Sequence, residues 1–301
     1  MLRHLGFALL AGAALAAPAP ADDKKPEGKI RVVLIDGQNN HDWRTTSPFM
    51  KKALEDSGRF TVSVSTAPLS KNDKRPVPSY ADSVPFPPDL GKFDVVLSNY
   101  NGQPWPADFQ KQLDERLKEG QIGLVIVHAA NNAFGGWKEY NQMIGMGWRG
   151  PKGGARLKLD DSGKEIRVPA GEGEGSGHRY VGEFQVTLRD RDHPVTKGMP
   201  AEWMHARDEL YDNMRGPIEN VHLLATAYSK GTKAHEPMIW TVAYGKGRVF
   251  HTPMGHDVNA MRCVGFVTTL RRGTEWAATG KVTIPIPDNF PTAKKSSSVP
   301  K

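Results

Sequence analysis

The sequence predicts an α/β protein built on a parallel sheet, and three observations carry that prediction. Four apolar runs, IRVVLID, FDVVLSN, QIGLVIV and GRVF, have the composition of strands buried on both faces. Each run stops in a polar knot: GQNNHDW, YNGQPW, HAANNAF and HTPMGHD. Helical segments separate the strands, the alternation that parallel pairing requires. In such sheets ligands bind beyond the carboxyl ends of the strands. His41, Asn99, His128 and His256 are therefore expected to converge.

The elements follow in order. Residues 1–21 place Arg3 and His4 before the apolar LGFALLAGAALAA, with small-residue cleavage sites at Ala14-Leu15-Ala16 or Ala19-Pro20-Ala21. That is the pattern of a signal peptide, so a secreted or periplasmic protein is expected. A solvated leader, 22–29, precedes a single domain over 30–288. Its first strand, 30–36, leads to a helix at 45–57 that stops before Gly58, then to a strand at 60–66. The proline-rich stretch 67–91 reads as a surface loop. A strand at 93–98 precedes a helix at 107–119, opened by Pro104 and Pro106 and closed by Gly120. A strand at 121–127 and a helix at 137–144 follow.

Residues 150–180 include GEGEGSGH, which lacks the Gly-Lys-Ser/Thr of a phosphate loop and reads as a second surface loop. Strands are expected at 181–188, 221–227, 237–243 and 247–251, the last two joined through Gly245-Lys246-Gly247. A helix over 259–278, an edge strand in KVTIPIP and a disordered polar tail at 289–301 complete the chain.

Composition narrows the function. No later stretch approaches the roughly 20 apolar residues that cross a bilayer, so no membrane partner is expected once the leader is removed. The net charge of +7 falls by one when Arg3 leaves with the leader, and the basic residues do not interleave with aromatics. A nucleic-acid partner is not expected. Cys263 is the only cysteine, which rules out an internal disulfide. Its run, VNAMRCVGFVTTLRR, suits a packed core thiol on an amphipathic helix.

His128 follows an apolar strand at a small-residue corner, the shape of a nucleophile elbow with histidine in place of serine or cysteine. It suits an acid, a base, a metal ligand or a substrate clamp. His256 stands at a strand-to-helix junction, where Asp257 suits a helix N-cap. His41 lies in the loop Asn39-Asn40-His41-Asp42-Trp43, where Asp42 or Thr45 suits the next N-cap. His251 lies within its strand and reads as packed. Glu209, in Asp208-Glu209-Leu210-Tyr211, is a candidate base or ligand. Asn40, Asn99, Asn101 and Asn132 offer neutral hydrogen-bonding groups for sugar hydroxyls. Trp43 and Trp137 offer faces for sugar rings. These residues fit an enzyme acting on a sugar, a non-catalytic sugar-binding module, or a metal-dependent hydrolase with His41, His128 and His256 around a divalent ion such as zinc.

GLVIVHAANNAFGGWKEYNQMIG, HPVTKGMPAEWMHARDELYDNM and GKGRVFHTPMGHD, in this order, resemble the ThuA-like family named for trehalose utilisation. The resemblance covers nearly all of 30–286. It implies a flavodoxin-like fold related to class I glutamine amidotransferases, with a mainly parallel sheet flanked by helices. It implies that His128 occupies the amidotransferase cysteine position, which argues against glutamine hydrolysis. Glu209 matches the family's Asp-Glu-Leu-Tyr carboxylate, His256 matches its Gly-His, and His251 stands where many relatives carry tyrosine. The implied partner is a small-molecule carbohydrate, a disaccharide or keto-sugar, with a homo-oligomer left open.

Overall fold

The computed structural model describes residues 28–300. The expected signal segment 1–21 and most of the 22–29 leader lie outside the described residues. One sheet holds the molecule together. Its parallel half runs β2 (Phe60–Thr66), β1 (Ile30–Asp36), β3 (Val95–Ser98), β4 (Gly123–Val127) and β12 (Gly247–Thr252). This is the flavodoxin strand order, with β12 as its fifth member.

Helices cover both faces, which is why these strands are apolar almost throughout. Met50 and Leu54 of α1 (Trp43–Glu55) and Phe266 and Leu270 of α5 (Val264–Thr279) share one core with Val32, Leu34 and Val125. Phe109 and Leu113 of α2 (Ala107–Lys118) and Tyr140 and Met143 of α3 (Lys138–Ile144) share the other with Val33, Ile35 and Leu124.

Beyond β12 the sheet turns antiparallel: β11 (Ala234–Tyr244), β10 (Val221–Ser229), β7 (Gly177–Leu188) and β8 (Glu202–Asp212). Four strands from β12, β8 nevertheless packs on α4 (Val258–Met261) and α5. The right-handed twist of the sheet curls this wing around. Trp203 lies on Gly265, where a Cβ would come within 2.3 Å of the indole. This fold-back brings β8 to the carboxyl ends of β4 and β12.

Several expectations need correction. The 150–180 stretch contains the strands β5 (Ala155–Leu159), which pairs with the short β9 (Arg215–Gly216), and β6 (Glu165–Val168), and β7 begins at Gly177. Its glycine-rich part is pinned because the buried Arg215 guanidinium donates to the carbonyls of Pro169, Glu172 and Glu174. The 259–278 helix is two helices. Cys263 leaves helical backbone (φ −54°, ψ 125°) and bridges Ser298 as a strand would. It is buried, at the start of α5.

KVTIPIP forms no strand, because the amides of Thr283 and Ile284 donate to the buried Glu275 carboxylate instead of a neighbouring strand. Residues 289–300 are packed where disorder was expected: Met204 donates to the Thr292 carbonyl, Val264 to that of Ser297, and Val299 to that of Arg262. Their polar backbone is satisfied against β8 and the α4–α5 junction. No helix among the described residues is long and apolar enough to cross a membrane.

Candidate functional site

At the end of β4 the chain turns on His128, whose φ of +45° lies in the left-handed region that a bulky residue enters only when its surroundings hold it there. The turn continues as a 3₁₀ segment, His128–Asn132. The imidazole Nδ1 lies 2.7 Å from the Pro253 carbonyl and donates to it. That fixes the tautomer and leaves the Nε2 lone pair toward the crevice. Tyr211 donates its hydroxyl to Nε2 at 3.0 Å, and His41 Nε2 lies 3.3 Å away. Burial, opposed by the Asp208 charge, pulls the His128 pKa down to about 4, so the ring is neutral near pH 7.

His41 comes from the loop between β1 and α1. Asn39 shapes that loop, accepting the His41 N–H at 2.9 Å and donating to the Asn99 carbonyl at 3.2 Å. The His41 ring stands edge-on to those of His128 and His256, with centroids 4.6 and 4.7 Å apart. His256 follows Gly255 in the loop after β12. Both amides of this pair donate to Asp208, at 2.7 Å from Gly255 and 3.0 Å from His256. Asp257 caps α4 through the Ala260 amide at 2.8 Å, as its position suggests.

Glu209 and Tyr211 alternate along β8 and so share a face. A bulge interrupts β8 between the Gly182–Asp208 and Phe184–His205 pairs. It brings His205 and Asp208, three residues apart, into contact at 2.8 Å. Glu209 Oε2 faces His256 Nδ1 at 3.1 Å, His128 Nε2 at 3.7 Å and His41 Nε2 at 3.8 Å, while Oε1 lies 3.6 Å from His178 Nε2. Burial opposes ionisation of Glu209. The contacts from His256 and His41 outweigh it and hold the carboxyl below the usual range. The same contact with Glu209, partly offset by burial, raises the pKa of His256.

His41, His128, His256 and Glu209 thus converge, each offering one donor atom, with all four atoms within 4.8 Å of one another. Among the described residues, these four could hold a metal ion. His251 is packed: its ring lies 3.9 Å from that of Trp240, Nδ1 donates to the Ile144 carbonyl, and burial lowers its pKa to about 3.

The remaining expected contacts divide. Trp43 is buried in the first turn of α1 and presents no face to a sugar, because its indole is part of the packed interior. Asn99 is also buried, and its amide is spent on Thr46 and Ser47 at 3.0 and 2.9 Å. Asn101 donates to Asn40 at 2.7 Å on the accessible side of the loops. Asn132 is half-buried beside Tyr211. Trp137 stacks on Tyr140 and lines a cavity of about 430 Å³ with Pro104, Gln110 and Phe134.

Sequence reasoning missed His178 and Tyr211 as site residues, and Asp208 as the anchor of the His256 loop. Trp148 packs against Tyr211 and His178, with centroids 4.7 and 5.7 Å apart. The alternation in Asp208-Glu209-Leu210-Tyr211 is a strand signal that places Tyr211 beside Glu209. Nothing local distinguishes His178 in its glycine-rich surroundings.

Fold and site together define a flavodoxin-like α/β protein with histidine at the elbow. The chain belongs to the ThuA family, whose sequence profile, described as trehalose utilisation, matches residues 31–277. The chain is similar to a protein from Parabacteroides merdae described as ThuA-like, with 40% identity and a TM-score of 0.81, over 90% of this chain and 98% of that one. It shares the fold of a second protein described as ThuA-like, from Bacteroides uniformis, at 16% identity and a TM-score of 0.54, over 86% and 95% of the two chains. No curated protein matches the chain.

Proposed function

We propose that the chain is an exported enzyme of carbohydrate utilisation that acts on a disaccharide or keto-sugar at the His/Glu crevice. The carrying observation is the convergence of His41, His128, His256 and Glu209 beyond the ends of the parallel strands, the place where such sheets bind ligands. The cluster combines an ionised carboxylate with a neutral imidazole whose lone pair faces inward. It polarises a sugar oxygen, and His178, with 44% of its side chain exposed, is placed to exchange protons with solvent. The Asn40–Asn101 pair and Trp137 supply the hydrogen-bonding and stacking groups a sugar needs. Export is supported by the pattern of residues 1–21.

The test offers disaccharides, including trehalose, and their keto derivatives to the purified protein, with products followed by NMR. Conversion by the wild type is expected. Glu209→Gln is expected to lose at least ~100-fold in rate while its unfolding temperature stays close to wild type. Calorimetric binding without product would make the chain a sugar-binding module, and neither binding nor product would overturn the carbohydrate reading.

A further inference from the structure

We propose that His41, His128, His256 and Glu209 form a divalent transition-metal site with a face open to substrate. Their donor atoms come from four separate segments, the β1–α1 loop, the β4 elbow, the β12–α4 loop and β8, yet lie within 4.8 Å of one another. Metal–nitrogen bonds of about 2.05 Å put tetrahedral ligands about 3.3–3.4 Å apart, and octahedral ones about 2.9 Å (cis) or 4.1 Å (trans) apart. The 3.3 Å between His41 and His128 and the 3.1, 3.7 and 3.8 Å from Glu209 Oε2 to the three imidazoles fall in this span. Separations of up to 4.8 Å have to contract when an ion enters.

Orientation points the same way. His256 Nδ1 and Glu209 Oε2 approach at 3.1 Å, yet His256 Nδ1 is buried and lacks the alignment of a hydrogen bond. Two ligands aimed at a common third point adopt that arrangement. His128 gives its Nδ1 proton to the Pro253 carbonyl, the outer contact that orients ligating histidines. Tyr211, which donates to His128 Nε2, lies beside Asn132, whose Oδ1 is buried and unpartnered. The supports are fixed too, since Asp208 holds the amides of Glu209 and His256 and Asn39 holds that of His41.

Three imidazoles and one carboxylate suit zinc, cobalt, nickel, manganese or iron and disfavour calcium and magnesium. His256 is 36% exposed and His178 44%, so one side of the cluster opens to solvent. An ion there keeps positions for water or for substrate oxygen, as catalytic sites do.

The inference rests on the same cluster as the proposed function, and its test reads metal instead of turnover. Untagged protein is stripped with chelator, dialysed, and titrated with Zn²⁺ and Co²⁺ by calorimetry and by the visible absorption of Co²⁺. One equivalent bound with micromolar or tighter affinity is expected. Glu209→Gln and His41→Ala are each expected to weaken binding at least tenfold, with circular dichroism unchanged. His222→Ala, at the distant Asp190 contact, is expected to bind as wild type. Failure of stripped wild type to bind either ion overturns the site, as does undiminished binding by the double variant His41→Ala/Glu209→Gln. Sugar conversion by stripped wild type that binds neither ion overturns the site while leaving the proposed function standing. Stoichiometric metal with no reaction on any sugar supports the site and counts against the carbohydrate function alone.

Discussion

The carboxylate of Asp208 accepts the backbone N–H of Gly255 at 2.7 Å, joining the curled edge of the sheet to the loop that carries His256. Its other oxygen takes the amides of His256 and Glu209, and His205 completes its partners at 2.8 Å. Both side chains of the His205–Asp208 pair are fully buried. Removing one partner of a buried pair leaves the other uncompensated, at about 3–5 kcal/mol. Asp208→Ala is therefore expected to lose about that much unfolding free energy in urea titrations. A loss below about 1 kcal/mol would show that the loop is held by other means.

The same pair sets a pH dependence. Burial opposes protonation of His205, but the Asp208 carboxylate and the nearby Cys263 thiol outweigh it and raise the pKa to about 9. The folded state thus binds the proton more tightly than the unfolded chain, whose histidines titrate near ~6.5. This contribution is complete below about pH 6.5. It disappears as pH rises through the folded value of about 9. Unfolding free energies measured between pH 6 and pH 10 are expected to fall, with a weaker decline in His205→Gln. Equal slopes in the two proteins would remove His205 as the cause.

The left-handed backbone of His128 gives a separate test, because backbone tolerance and chemistry part company there. Asparagine enters this region readily, whereas a β-branched residue costs about 1–2 kcal/mol more. His128→Asn is expected to fold with stability near wild type and to lose sugar conversion. His128→Val is expected to unfold at lower urea. If both variants unfold alike, the elbow is not strained.

Close packing of the curled wing on α5 depends on Gly265, where a Cβ would sit 2.3 Å from Trp203. Neither the ring nor the helix has room to retreat within a buried core. Gly265→Ala is expected to destabilise by about 1–3 kcal/mol, in line with overpacked cores. Thermal unfolding checks this, and Gly265→Ala/Trp203→Phe is expected to regain part of the loss.

The parallel half of the fold was legible because double-sided burial makes each strand a continuous apolar run, and the polar knots mark where those runs end. His41, His128 and His256 were legible for the same reason. In the antiparallel wing, the strands expected at 181–188, 221–227 and 237–243 are present, and only β8 was not read. Residues 202–212, EWMHARDELYD, carry charges at exposed positions and a bulge that breaks the period-two pattern, so β8 passed unnoticed although Glu209 did not. Trp43 and Asn99 misled because sequence places them in polar knots, while tertiary packing turns both inward. The tail misled for a different reason: its polarity is satisfied by backbone pairing with Arg262, Val264 and Met204 rather than by solvent.

His178 was hidden at the start of β7, and its role is separable from the cluster it faces. Its Nε2 lies 3.6 Å from Glu209 Oε1, on the side away from the three clustered imidazoles, and nearly half of its side chain is exposed. It adjoins Trp148 at the rim, so removing the ring opens space toward solvent instead of a buried void. His178→Ala is accordingly expected to change unfolding free energy by less than about 0.5 kcal/mol. As a proton-exchanging group, its loss is expected to lower kcat/KM for the sugar by about 10²-fold. Co²⁺ binding is expected to stay unchanged. An unchanged kcat/KM in His178→Ala would leave proton exchange to another group at the rim.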